Sequence, residues 1–120
     1  MPEDPSKLAI VEEREGDVTV LGLYGEMLLD DGDLLLRQHV HDLVAKGQVR
    51  LIIDLSGVTH IDSSGIGMMV AKVATVRNAG GDLKIVGLSN RYRRLLETMK
   101  LMAIFETFDD VPSAVASFTG

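Results

Sequence analysis

The chain has 120 residues, a formal net charge of −6 and no cysteine, and apolar residues make up 46% of it. This length fits one domain with one core, and the lack of cysteine excludes disulfides, thiolate metal sites and cysteine nucleophiles. The acidic balance opposes attraction to phosphate backbones, so nucleic-acid binding is not expected. We therefore treat residues 1–120 as a single domain.

The beginning of the chain differs in composition from the rest. Residues 1–7 hold two of the three prolines and several charges, which is typical of a loose leader. They show no apolar region of the kind found in secretory signals, and no apolar run approaches the roughly 20 residues that cross a bilayer. A cytoplasmic domain without stable membrane insertion is expected.

The first predicted elements are two strands. Residues 8–13 and 18–24 are rich in β-branched and apolar side chains, and Glu15, Gly16 and Asp17 between them form a turn signal. This pattern predicts an antiparallel hairpin, with Gly25 ending the second strand.

The remaining elements alternate between helix and strand. Apolar periodicity predicts helices over residues 32–46, 62–78 and 90–99, with a short terminal helix capped by Asp110. Gly47 should end the first helix, and Ser89 can cap the third. The apolar stripe of the third helix is predicted to consist of Tyr92, Leu95, Leu96 and Met99. Strands are predicted over residues 49–55, 83–86 and 104–108, with 56–61 as a connection. The order predicts an α/β domain with about four helices on a mixed sheet that an N-terminal hairpin opens.

The sharpest local feature is the segment IDSSGIG at residues 61–67, where a strand leads into a helix. Asp62 and the two serines are good helix caps, which is one sufficient explanation for them. Capping does not explain Gly65 and Gly67, because glycine inside a helix is unfavourable. They would leave a low-profile surface that a partner approaches closely, and one of Met68 and Met69 should then face outward.

A second interpretation makes Ser63 a phosphorylation site. A helix N-terminus accommodates phosphate through its free N–H groups and its dipole, so the modified domain need not unfold. The added charge would appear where a partner docks. Both interpretations of the loop remain open from the residues alone.

Catalytic and metal-binding alternatives have weaker support. A nucleophile elbow at Ser63 would require glycine at the position of Ile61. His60 lies three residues before Ser63, but a base must also reach the hydroxyl in space and be oriented by a third group, so a small hydrolase is a weaker alternative. His39 and His41 cannot share a face of one helix, so no metal site is expected. No phosphate-binding P-loop is present, and we expect no cofactor and no catalytic residue. Arg91, Arg93, Arg94 and Lys100 form a basic cluster that suits solvent, an acidic partner or a lipid headgroup.

These features together resemble the STAS domain family, and more narrowly bacterial anti-sigma factor antagonists. The resemblance covers residues from about 8 to 118. It depends on the order of elements and on four segments: IDSSGIG at 61–67, NAGG at 78–81, LL at 95–96 and MKL at 99–101.

The resemblance implies a non-enzymatic partner-switching role. The unphosphorylated domain would bind an anti-sigma factor serine kinase and so release a sigma factor, and a serine phosphatase would reset the phosphorylated form. It places the phosphate on Ser63, with Ser64 as second choice. The expected partner-binding residues are Asp62, Ser64, Gly65, Ile66, Gly67 and Met68.

One departure from the family pattern occurs after the second strand. Family members often carry an acid near the phosphoacceptor where this chain has Leu28, and the next acids here are Asp30 and Asp31. This departure bears on which kinase recognises the chain. An unphosphorylated role, as an accessory subunit of a membrane lipid transporter or as a signalling scaffold, is the alternative.

Overall fold

The fold is given by a computed structural model, which describes residues 8–27 and 31–118, without the side chains of 31–33. Nine elements follow one another along this part of the chain. They are β1 Ala9–Glu15, β2 Val18–Met27, α1 Asp31–Ala45, β3 Arg50–Ile61, α2 Ser63–Asn78, β4 Asp82–Val86, α3 Asn90–Thr98, β5 Thr107–Phe108 and α4 Val111–Ser117. The predicted α/β class and the order of its elements are confirmed.

The five strands form one mixed sheet in the order β1-β2-β3-β4-β5. β1 and β2 pair antiparallel, and Glu15 pairs with Val18 next to the turn at Gly16, whose φ of 65° favours glycine. The other neighbouring pairs are parallel, so each connection between them crosses one face of the sheet. The N-terminal hairpin is therefore confirmed.

Two predicted strand ends are wrong. β2 continues through Gly25 to Met27, and β3 runs to Ile61 where a connection over residues 56–61 was expected. Both extensions pair with each other, with register shifts between Gly22 and Tyr24 and between Gly25 and Glu26. The ladder continues past Gly25 because pairing with a neighbouring strand outweighs the low strand preference of glycine.

Alternating strand residues divide the core between the two faces of the sheet. The inner face packs beneath α1, α2 and α3, and its buried strand residues include Leu21, Leu23, Leu51, Ile53, Leu55, Leu83 and Ile85. The outer face packs beneath α4, where Val18, Val20, Ile52 and Val86 surround Ala114. The larger core therefore lies on the face that carries the beginning of α2.

The last two helices differ in part from expectation. Ser89 caps α3 through the N–H of Tyr92, as predicted, but Leu96 is its one fully buried side chain, and Leu95 and Met99 are exposed. Asp110 caps α4 through the N–H of Ser113, also as predicted. β5 is shorter than the predicted 104–108, because the N–H groups of Ile104 and Phe105 bond the carbonyls of Leu101 and Met102 in a turn.

Candidate functional site

The candidate site lies where β3 passes into α2, at the carboxyl end of the parallel strands. Asp62 is the one residue between Ile61, which ends β3, and Ser63, which begins α2. Its backbone N–H donates to the Met27 carbonyl at 3.3 Å, so the end of β2 fixes the loop. Sites in open sheets with parallel strands gather at this end.

Asp62 caps α2, as the sequence predicted. Its Oδ1 accepts the N–H of Gly65 at 2.9 Å and the hydroxyl of Ser64 at 2.6 Å. The first N–H groups of a helix have no partner within the helix, so the carboxylate satisfies one of them and complements the helix dipole. The cap therefore fixes the first turn of α2 and also engages the second serine.

The two serines differ in exposure and bonding. Ser64 is half-buried, and its hydroxyl donates to Asp62. Ser63 is exposed, and its hydroxyl makes no hydrogen bond within the part of the chain that the structure describes. Ser63 thus presents its hydroxyl to solvent at the start of α2.

The two glycines of the segment have different surroundings. A Cβ at Gly65 would lie 2.8 Å from the Met27 carbonyl oxygen and 3.1 Å from the Ile61 Cγ2, because α2 begins against the end of β2. A Cβ at Gly67 would meet nothing within 4 Å. The low-profile surface expected of both glycines is therefore present at Gly67 alone, and Gly65 allows close packing inside the domain.

The other expected contact residues are in the core. Ile66 is 2% exposed, and Met68 and Met69 are 5% and 2% exposed, so the expectation that one methionine faces outward is wrong. Both methionines are buried because α2 packs against α1 on one side and against the sheet on the other. The accessible part of the segment consists of Asp62, Ser63, Ser64 and Gly67.

His60 does not form a catalytic pair with Ser63. The His60 Nδ1 lies 3.4 Å from Glu26 Oε2 and 3.3 Å from the Thr59 hydroxyl. Nucleophilic catalysis needs a base within hydrogen-bond reach of the nucleophile and a third group that orients the base. The geometry gives the hydrolase alternative no support.

Tyr92 supports the site from α3, a role that the sequence did not reveal. The backbone N–H of Ile61 donates to the Tyr92 hydroxyl at 3.0 Å, one residue before the cap. The helical pattern had marked Tyr92 as a packing residue, and nothing in the sequence indicated which backbone group its hydroxyl meets. The loop is thus held by β2 on one side and by α3 on the other.

The remaining sequence features are placed as follows. Leu28 and Asp30, where the chain departs from the family pattern, lie outside the described residues, and Asp31 is the first residue of α1. His39 Nε2 lies 2.7 Å from Glu12 Oε1, and Arg93 donates to the Thr107 hydroxyl at 3.4 Å.

Metal and membrane features were sought in the described ranges 8–27 and 31–118. No group of three or more His, Asp or Glu side chains there is arranged to hold a metal ion. None of the helices in those ranges has the length and apolar character that crossing a bilayer requires.

The fold and site define a small α/β domain with an exposed, capped serine loop, and comparison with known proteins gives its family. The model of the STAS domain matches residues 9–114, so the chain belongs to the STAS domain family, as the sequence features indicated. A curated relative, the anti-sigma-B factor antagonist of Bacillus subtilis, is 32% identical over 96 residues, covering 80% of this chain and 85% of the relative.

Solved structures of related proteins agree with this fold. A crystal structure of an anti-sigma factor antagonist from Mycobacterium paratuberculosis has a TM-score of 0.81 and 23% identity, and the match covers 98% of each chain. The Bacillus cell fate determinant SpoIIAA in its phosphorylated form has a TM-score of 0.71 and 18% identity over 92% of this chain and 99% of its own. At these identities the likeness concerns the fold.

Proposed function

We propose that this chain is an anti-sigma factor antagonist controlled by phosphorylation of Ser63. In its unphosphorylated form it binds an anti-sigma factor serine kinase in the cytoplasm and so releases a sigma factor. Phosphorylation by that kinase ends the interaction, and a serine phosphatase restores it. The names of the curated relatives support the antagonist role, and the phosphorylated state of a protein with the same fold supports the switch.

The observation that carries the proposal is the difference between the two serines. The Ser63 hydroxyl is exposed at the first residue of α2, whereas the Ser64 hydroxyl is half-buried and donates to the Asp62 carboxylate at 2.6 Å. A kinase must bring the acceptor oxygen into line with the γ-phosphate. Ser63 meets this condition without disturbing the cap, and Ser64 does not.

The same geometry supports a switch that leaves the domain folded. A phosphate on Ser63 would lie beside the N–H groups at the start of α2, where the helix dipole favours negative charge. In the cap the backbone N–H of Gly65 donates to the Asp62 carboxylate, and the Ser63 hydroxyl takes no part in this bond. Phosphorylation therefore changes the surface and leaves the first turn in place.

Loss of partner binding follows from the added charge. Phosphoserine carries up to two negative charges, and here they would stand next to the Asp62 carboxylate. A partner that covered Asp62, Ser63 and the bare surface at Gly67 would bury those charges. An uncompensated buried charge costs several kcal/mol, which is enough to dissociate a regulatory complex.

The test compares phosphate incorporation in matched serine variants. Wild type, Ser63→Ala and Ser64→Ala are incubated with Mg-ATP in a lysate of the source organism, and intact mass is recorded. We expect one added phosphate on wild type and on Ser64→Ala, and none on Ser63→Ala. Addition to Ser63→Ala but not Ser64→Ala would move the site to Ser64.

Binding is then measured with the kinase that modifies the chain. Ser63→Ala should retain wild-type affinity, and Ser63→Glu should lose at least about tenfold, equivalent to about 1.4 kcal/mol. Equal binding by Ser63→Glu would contradict the switch. No mass change in a lysate with active serine kinases would favour the accessory or scaffold role, in which Ser63 serves as a contact residue only.

A further inference from the structure

The outer face of the sheet, opposite the face that α2 covers, carries an open groove. α4 covers Val18 and Val20 of β2 but leaves the outer face of β1 exposed, and with it the later part of β2 around Gly22 and Tyr24. A groove of about 160 Å³ lies there, with Val20 and Gly22 in its lining and Val111 of α4 at one side. Val11 and Tyr24 border it, and each residue is 48% exposed. The domain thus leaves apolar surface open beside a concavity.

The Tyr24 ring has a defined seat on the sheet. A Cβ at Gly57 would lie 2.4 Å from the Tyr24 Cδ1 and 2.7 Å from the Leu23 carbonyl oxygen, so the ring occupies the space above this glycine. On the other side, a Cβ at Gly22 would lie 3.6 Å from the Tyr24 Cε2. Glycine inside a strand weakens it and often marks a close approach. Here two glycines hold an aromatic ring that remains half exposed.

The charge around the groove has one sign. Its lining includes the carboxylates of Glu13, Glu15 and Asp54, and no basic residue is among the lining residues that the structure describes. Asp54 is held by its neighbour, since its Oδ1 accepts the N–H and the hydroxyl of Ser56 at 2.9 and 2.6 Å. A cation in this groove would be attracted by the negative charge of the carboxylates and by the face of the aromatic ring.

We propose that this acidic groove is a docking site for a basic segment of a second protein, with a lysine or arginine side chain lying between Tyr24 and the carboxylates. Charge complementarity selects this occupant. A symmetric dimer through the groove would bring the same acidic rim against itself, and residues 1–7 carry Glu3 and Asp4 against one lysine. The aliphatic stem of the cationic side chain would contact Val11 and Val111.

The groove and the serine loop lie on opposite faces of the sheet, so they can contact different partners. α2 packs on the inner face with α1 and α3, whereas the groove opens on the outer face beside α4. A protein docked in the groove therefore does not need the surface around Ser63. This arrangement lets the domain hold one partner while it exchanges another, and the inference does not depend on phosphorylation of Ser63.

The probe for the test is a pentapeptide, GRVRG with blocked ends, and its acidic counterpart is GEVEG. Amide NMR shifts of the full ¹⁵N-labelled chain are followed as each peptide is added. We expect GRVRG to move the amides of Val11, Gly22 and Tyr24, with weaker binding as salt rises, and GEVEG to leave them unchanged. Shifts centred elsewhere, or equal shifts from both peptides, would overturn the proposal.

Charge-matched variants distinguish a specific effect of the groove on peptide binding from an effect of the net charge of the domain. Glu13→Gln with Glu15→Gln should weaken GRVRG binding about fivefold. Asp42→Asn with Glu97→Gln makes the same charge change on exposed residues of α1 and α3 and should leave the affinity unchanged. An equal loss of GRVRG affinity in both double variants would mean that only the net charge of the domain matters, which would contradict a site in the groove.

Further variants test the role of the Tyr24 ring and whether the chain itself, through residues 1–7 or a second copy, occupies the groove. Tyr24→Phe should retain binding and Tyr24→Ala should lose it, with the fold checked by the shifts of the inner-face amides. Deletion of residues 1–7 should leave the shifts of Val11, Gly22 and Tyr24 in place. Movement of these amides on deletion, or on self-association of the free chain, would assign the groove to the chain itself and overturn the proposal.

Discussion

The two faces of the sheet are built from the same strands and are covered in different ways. Neighbouring residues of β3 illustrate this, since Ile53 belongs to the inner core and Ile52 belongs to the outer core beneath α4. Both are fully buried. The inner face is a continuous apolar core that fixes the start of α2 and therefore Ser63. The outer face is closed by one helix of seven residues and keeps part of its surface open.

The outer face also contains a buried charged side chain, whereas no charged strand residue is buried on the inner face in the part of the chain that the structure describes. Lys84 of β4 is 5% exposed, and its Nζ donates to the Ser117 hydroxyl at 2.6 Å. The same Nζ lies 4.3 Å from the centroid of the Phe118 ring and 3.5 Å from Glu106 Oε2. A buried cation needs such partners because the loss of hydration is costly. The short helix α4 is thus held by the fully buried Ala114, by the partly buried Val111, Val115 and Phe118, and by a partnered lysine.

The largest expected effect comes from truncating the two neighbouring isoleucines. Ile53→Ala opens a cavity within the larger inner core, where we expect little relaxation, and we expect a loss of about 4 kcal/mol in the free energy of unfolding. Ile52→Ala opens its cavity near a short helix that can shift inward, and we expect a loss of about 3 kcal/mol. Urea unfolding monitored by circular dichroism measures both.

The order of the two losses tests the comparison. Ile53→Ala and Ile52→Ala remove the same atoms from adjacent residues of one strand, so differences in strand preference largely cancel. Equal losses, or a larger loss from Ile52→Ala, would mean that α4 is as rigid a cover as the three inner helices. The contrast drawn between the faces would then be wrong.

A second prediction concerns the two glycines at the start of α2. Gly65→Ala places a Cβ 2.8 Å from the Met27 carbonyl oxygen, which is backbone and cannot turn aside. We expect it to destabilise the domain by about 2 kcal/mol and to shift the end of β2. Gly67→Ala meets open space and removes an unfavourable helical glycine, so we expect a gain of up to about 1 kcal/mol. Thermal unfolding of both variants provides the measurement.

Gly67→Ala also serves as a probe of the proposed partner surface. Because we expect this variant to be at least as stable as wild type, a loss of kinase binding would not come from unfolding. A methyl group on the bare surface beside Ser63 should reduce affinity if the partner approaches there. Stability changes of the same sign at both glycines would contradict their assignment to different environments.

The local parts of this fold could be predicted from the sequence. Asp62, Ser89 and Asp110 were each identified as helix caps, and each side chain accepts a backbone N–H of its own helix. Capping depends on a few consecutive residues, so one sequence carries the signal. Gly47, with a φ of 79°, ends α1 for the same local reason.

The parts that were missed depend on residues distant in sequence. β3 extends to Ile61 because its last residues pair with β2, more than thirty positions earlier. The same nonlocal packing buries Met68 and Met69, and the periodicity of α2 alone could not show that two of its sides are covered. The Tyr24 ring of β2 packs over Gly57 of β3, and the sequence of neither strand alone indicates this contact. The position of the loop and its Asp62 cap were therefore predictable, whereas the accessible surface of the loop was not.

The smallest expected effect lies at the cap of α4 and concerns pH. The backbone N–H of Ser113 donates to Asp110 Oδ1 at 2.8 Å, and this bond, with the Ser113 hydroxyl, holds the pKa of Asp110 below its ordinary value of 3.8. A carboxyl whose pKa is lowered in the folded state stabilises the fold above its unfolded pKa. That contribution is lost as the pH falls through the folded pKa.

Asp110→Asn isolates this contribution because asparagine caps helices without titrating. Hydrogen exchange of residues 111–118 should be slower in wild type than in Asp110→Asn at neutral pH, and the difference should shrink as the pH falls below about 3.8. Asp109→Asn makes the same charge change next to the cap and should not show this trend. A difference that is independent of pH would mean that the charge of Asp110 contributes nothing to the attachment of α4, and Lys84 with its aromatic neighbours would then account for the stability of this face.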